Sequence, residues 1–174
     1  MQKSTFDRQA SYYDTYIDKV PDVDLSTALQ QSLEDLQTAD METLNALGDN
    51  VYAPGKWTVR DTIQHLTDSE RVFAYRALRF ARNDKVALPG FDQDIFAENS
   101  GANNRSLETI MEEAMLVRKS TIALFDTFDE TALFRSGMMS NAELSVALIG
   151  YIIAGHQIHH FKILKERYFP LIKK

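Results

Sequence analysis

Apolar positions repeat with the helical period in four long segments, separated by polar stretches that carry glycine or proline. The first segment runs from about Asp24 to Leu47, where Leu25, Leu29, Leu33, Leu36, Leu44 and Leu47 share one stripe and Gly48 marks the stop. After the loop DNVYAPGKW, Thr58 has the character of an N-cap, and Asp61 stands at the capping-box position. This second helix should extend to about Arg82 and fade at Asn83-Asp84. Ser106 caps a third, whose Leu107, Ile110, Met111, Ala114, Val117, Thr121, Leu124, Phe125 and Phe128 hold the period. A fourth is expected from about Asn141 to Tyr168, with Pro170 preventing extension. No strand-like alternation competes, so no sheet is expected. Residues 1–20 are aromatic but weakly periodic, and read as an N-terminal extension that packs across the helices through Tyr12, Tyr13 and Tyr16.

Link lengths predict the topology. The short link between helices one and two favours antiparallel neighbours. The stretch LPGFDQDIFAENSGANNR between helices two and three is long for a bundle, where links of roughly two to eight residues are usual. It can run the length of a helix and let helices two and three lie parallel. The expected fold is an all-α, up-down-down-up four-helix bundle with one long crossover, a single domain over residues 1–174. Such bundles build metal sites from inward side chains on facing helices.

Composition restricts the function. The chain has 174 residues, enough to bury a core without staples. A net charge of -6 argues against a nucleic-acid surface, which needs a concentrated basic field. The absence of cysteine excludes disulfides, thiolate ligands and a cysteine nucleophile from this chain. No stretch has the apolar length of a signal peptide or membrane span, which predicts a cytoplasmic protein with no membrane partner.

All four histidines fall in two places: His65 in QHLTDSE, and His156, His159 and His160 in GHQIHHFKILKERY. His156 and His160 project from one helix face, about 40° apart. A third imidazole from another helix completes a three-nitrogen set for a divalent cation with positions left open. Spacing also permits a His156/His159 pair, about 60° apart on the other side. The bland alternative is a polar patch at a bundle end.

The runs PGKWTVRDTIQHLTDSERVFAYRALRFAR, PGFDQD and GHQIHHFKILKERY resemble the DinB-like (DinB/YfiT) superfamily, over about Val51 to Pro170. These are not the DNA polymerases that share the name. The resemblance implies the four-helix bundle with a long crossover, and a divalent metal on three histidines that correspond to His65, His156 and His160. It favours His160 over His159, which is left near the site mouth as a proton shuttle or a partly exposed neighbour. Characterised relatives include thiol S-transferases that use bacillithiol, mycothiol or glutathione, and others are described as metal-dependent hydrolases. The implied activity is a metal-dependent transferase or hydrolase acting on a small molecule. Nickel or zinc suits the ligand set, and any attacking thiol would come from a low-molecular-weight cosubstrate. The competing readings are a binding protein without turnover and a dimeric interaction module.

Other residues follow from the same periodicity. Asp61, one turn before His65, could orient a ligand imidazole or simply cap the helix. Arg76 points inward and calls for a carboxylate such as Asp92, Asp94 or Glu98, which would tie down the crossover. Arg71, Arg79 and Arg82 read as a solvated face, and Trp57 as a plug at the bundle end. The fourth helix is apolar around its circumference at Leu148, Ile149, Tyr151, Ile152 and Ile153, which predicts a homodimer unless the N-terminal segment or the crossover covers it.

Overall fold

The computed structural model describes residues 1–172. Its elements are α1 (Asp14–Ile17), α2 (Leu25–Gln37), α3 (Met41–Leu47), α4 (Val59–Ala81), α5 (Gln93–Asn99), α6 (Leu107–Phe125), α7 (Glu130–Phe134), β1 (Ser136–Met139), β2 (Ala142–Ser145) and α8 (Val146–Ile163). Helix α8 runs on into a π turn, Leu164–Tyr168, and a 3-10 turn, Phe169–Leu171, which holds Pro170.

The long helices α2, α4, α6 and α8 form the four-helix bundle. Side-chain pairs give their directions. Asp61 meets Asn103, Gln64 meets Arg105 and Arg71 meets Glu113, so α4 and α6 run parallel. His65 meets His160, whereas Phe73, further along α4, meets His156, so α4 and α8 are antiparallel. Leu25 lies at Gly150 and Ser32 at Gln157, so α2 is parallel to α8. The order is up-down-down-up, and the segment from Arg82 to Ser106 is the crossover between parallel helices. Helix α2 packs against α6 and α8, and so does α4, which sets α2 and α4 across the diagonal and not as the neighbours their link had suggested.

Helix boundaries differ from expectation in three places, the smallest at α6, which ends at Phe125 and leaves Phe128 outside it. The first helix breaks between Gln37 and Met41. The Thr38 hydroxyl bonds back to the carbonyl of Glu34 at 2.8 Å, and Asp40 caps a new helix by accepting from Thr43 N at 3.0 Å. The fourth helix begins at Val146 and not near Asn141, because residues 136–145 form an antiparallel hairpin that pairs Ser136 with Ser145 and Met139 with Ala142. Ser140 and Asn141 supply the two positive φ angles, 48° and 66°, of a primed turn. Leu88 of the crossover extends the hairpin by bonding to Met138 O at 2.9 Å. Gly137 lies flat on the Phe80 ring, where any Cβ would overlap it.

Elsewhere the local signals hold. Thr58 and Asp61 form a full capping box, and Ser106 and Ser145 cap α6 and α8. The N-terminal segment crosses α8, and Gly155 lets the Tyr16 carbonyl approach where a side chain would clash. Every residue from Val146 to Gln157 is therefore buried within one chain. The apolar circumference of α8, the reason for expecting a homodimer, is covered by the N-terminal segment and its neighbouring helices.

The core has two apolar parts. One gathers Phe73, Phe80, Ile122, Phe125 and the first half of α8 around the N-terminal segment. The other gathers Leu36, Leu47, Ile63, Ile110 and Leu164 near α3. Between them along the bundle lie Ser32, His65, Glu70, Arg118, His156 and Gln157, all buried. No helix among the described residues is long and apolar enough to cross a membrane.

Candidate metal centre

In this polar layer, α4 delivers His65 and α8 delivers His156 and His160. The Nε2 atoms of His65 and His160 each lie 3.1 Å from Nε2 of His156, and the three rings meet edge to face. One ligand atom from each lies within 4.8 Å of the others. Nitrogens at 2.0–2.2 Å from one ion stand roughly 3–3.6 Å apart, so this spacing suits a shared cation.

Proton counting supports the same fit. His156 Nε2 offers either one hydrogen or one lone pair, so it cannot make a linear hydrogen bond along both 3.1 Å lines, and at least one of the two close contacts is unmatched. A shared cation would satisfy all three nitrogens at once, and an added proton does so poorly because the site resists charge. Burial pushes the His65 imidazolium down to about 4. Burial, with repulsion from His65 and His159, takes His160 to about 3. Burial also holds His156 well below its ordinary range, with further lowering by the other histidines and Arg118. All three rings are neutral at pH 7, the form that ligates a metal.

Comparison with known proteins agrees with this architecture. Residues 6–164 match the DinB superfamily. The chain belongs to that superfamily. A relative from Oceanobacillus iheyensis, provisionally named a metal-dependent hydrolase, is 29% identical over 130 residues, covering 71% of this chain and 74% of the relative. The solved structure of YfiT from Bacillus subtilis, described as a probable metal-dependent hydrolase with an unusual four-helix bundle topology, superposes with a TM-score of 0.75. That match is 17% identical and covers 95% of this chain and 93% of YfiT, a likeness of fold.

Within this DinB-superfamily bundle, aromatic rings wall the triad. Trp57 is half-buried, its ring centre 4.6 Å from that of His65 and 6.4 Å from that of His160, to which it lies nearly parallel, so it packs on the triad at His65 and is more than a plug at the bundle end. Tyr16 covers the opposite side, 4.8 Å from His156 and 5.4 Å from His159. A cleft of about 340 Å³ opens onto His160 between Tyr52, Lys56, Trp57, Gln93, Asp94 and Tyr168. His159 does not line it. It sits on the Tyr16 side, half-buried, with its pKa lowered by burial and by Lys19 and Lys162.

Other expected neighbours are placed differently. Asp61 accepts from Thr58 N at 3.0 Å and from Asn103 at 2.8 Å, so it caps α4 and pins the crossover. The group near His65 Nδ1 is instead the Ser69 hydroxyl, at 3.4 Å. Arg76 ties down the crossover, but through the Pro89 carbonyl at 2.6 Å and between the rings of Phe73 and Phe91, with no carboxylate. Asp92 caps α5. Arg71 pairs with Asp68 and Glu113, Arg79 pairs with Asp84, and Arg82 lies over Phe128.

Sequence reasoning missed a buried ion pair. Arg118 Nε and Nη2 each donate to Glu70 at 2.9 Å, Nη1 reaches Ser32 Oγ, and Gln157 donates to the Ser32 carbonyl at 2.7 Å. The available signal was an arginine and a glutamate on otherwise inward helix faces.

Proposed function

We propose that this protein binds one divalent cation through Nε2 of His65, His156 and His160 and hydrolyses a small molecule that enters along the Trp57–Tyr168 cleft. The convergence of three neutral imidazole nitrogens carries the reading. The relatives' names support hydrolysis, and their identity to this chain leaves the substrate open. Nickel and zinc both suit the ligand set.

When bound, a cation with three neutral ligands keeps its full charge and lowers the pKa of a water or thiol at an open position to near neutrality. The chain's own groups do the rest. The histidines turn Nε2 toward one another as neutral rings, so a cation would meet no imidazolium charge there. Trp57 and Tyr16 keep bulk water from the triad. Lys56, Gln93 and Asp94 give the cleft polar groups that can orient a substrate. With no cysteine in the chain, S-transfer would draw its thiol from a low-molecular-weight cosubstrate entering the same cleft.

The test is metal content after loading with zinc or nickel, followed by turnover of amide and ester substrates with and without a panel of small thiols. One ion per chain with thiol-independent hydrolysis is expected. Turnover only with a thiol would move the assignment to S-transfer. Ligand binding without turnover would make the protein a sequestering module, and failure to bind either metal would overturn the reading.

A further inference from the structure

His156 is the central ligand candidate, and a metal-bound imidazole is normally held by an acceptor on its other ring nitrogen. Asp61 is committed elsewhere. A small cavity of about 10 Å³ lies against His156 on a side that neither His65 nor His160 reaches, since neither lines it. Its other polar walls are Thr67, Glu70, Arg118 and Gln157. That volume is close to the room one water requires, and the site offers more than the two polar partners a buried water needs.

The bonding capacity of the walls is specific. Each Glu70 oxygen accepts one bond from Arg118 and retains a lone pair. The Thr67 hydroxyl donates to Ile63 O at 2.9 Å, which leaves its oxygen as an acceptor. A water held here would accept from His156 Nδ1–H, the ring nitrogen not engaged with His65 and His160, and donate to Glu70. Arg118 neutralises the carboxylate in a layer where Glu70 is 5% and Arg118 2% exposed.

Building on the metal-site reading, we infer that Glu70, held by Arg118, is a positioning residue for His156. It fixes the tautomer with Nε2 free for the cation by accepting a hydrogen bond from one buried water, which in turn accepts from Nδ1–H. The device differs from a direct carboxylate–histidine contact because the buried charge is already paired before any metal arrives.

The test uses the full chain with zinc chloride and, for spectra, cobalt. In Glu70→Met/Arg118→Leu the buried pair is replaced by apolar groups of similar size, an exchange that often preserves folding. Zinc affinity should fall about 10- to 100-fold and the cobalt absorption should change, with far-UV dichroism retained. Ser32→Ala, which touches Arg118 but not the cavity, should lower thermal stability and leave zinc affinity unchanged. Wild-type affinity and cobalt spectrum in a folded double variant would overturn the inference. The wild-type protein gives a second reading, independent of any variant's folding and of metal uptake. Nitrogen-15 spectra should show the His156 proton on Nδ1, with and without zinc. A proton on Nε2 would overturn the inference. Failure of the wild type to bind zinc would sink the metal reading alone, since the metal-free tautomer still reports on Glu70.

Discussion

Two polar clusters share the middle layer of this bundle, and they are built on opposite principles. Glu70 and Arg118 form a bidentate pair with a third contact to Ser32, so charge and hydrogen bonds are both matched. His65, His156 and His160, beside it on α4 and α8, are uncharged and crowd their Nε2 atoms together with more contacts than they can hydrogen-bond. The pair is charge-matched without a ligand, while the triad has one central nitrogen that cannot hydrogen-bond both of its neighbours. Burial alone does not distinguish a structural polar cluster from a binding one. The distinction lies in whether donors and acceptors balance.

The largest expected effect breaks the triad. His156→Ala or His160→Ala should abolish stoichiometric zinc binding in equilibrium dialysis, because two remaining nitrogens make a poor chelate. His159→Ala should leave most of it. Loss of zinc with His159→Ala and retention with His160→Ala would show the ligand register to be wrong. Removing one member of the pair should act on folding. Glu70→Ala strands a buried guanidinium and should cost about 3–5 kcal/mol in urea denaturation. A cost under about 1 kcal/mol would mean that water reaches Arg118 and the matched-pair description fails.

A smaller effect separates the clusters by pH. His65 titrates near 6.5 when unfolded and about 4 when folded, so the unfolded chain binds more protons between those values. Metal-free stability should be full above pH 6.5 and fall with acidification through that window, by about 2 kcal/mol at pH 5 from His65 alone. His160, taken by burial to about 3, adds in the same direction. Urea midpoints at pH 7.5 and 5 measure this, and His65→Ala should flatten the difference. An equal slope in that variant would assign the acid sensitivity to other groups.

Legibility from sequence followed the range of the interaction. The start of α4 was readable because Thr58 and Asp61 act on each other across three residues. The converging histidines were candidates because the chain has only four, grouped in two places, but spacing left His159 and His160 as alternatives and only the resemblance to the DinB-like superfamily favoured His160. The hairpin was not, since its strands have four residues each and Asn141, which turns it, is also a good helix N-cap. Nor was the break at Thr38–Asp40, where leucines on both sides mimic one stripe. Glu70 and Arg118 lie 48 residues apart, and only the parallel course of α4 and α6 brings them together.

The smallest effect concerns Asp61, which the helical period alone could assign to either role. Its oxygens accept from Thr58 and Asn103, so Asp61→Ala removes half of a capping box and one tie to the crossover. Such a loss costs about 1 kcal/mol and should appear as a lower thermal midpoint. Zinc affinity should stay within about threefold of wild type, because the group beside His65 Nδ1 is Ser69. An orienting carboxylate would reverse the pattern, with affinity falling about 10- to 100-fold and little change in melting. Asp61→Asn sharpens the test. At this third position of the helix the asparagine amide keeps one carbonyl oxygen that can still accept from Thr58 N, so the melting loss should shrink while affinity remains unmoved.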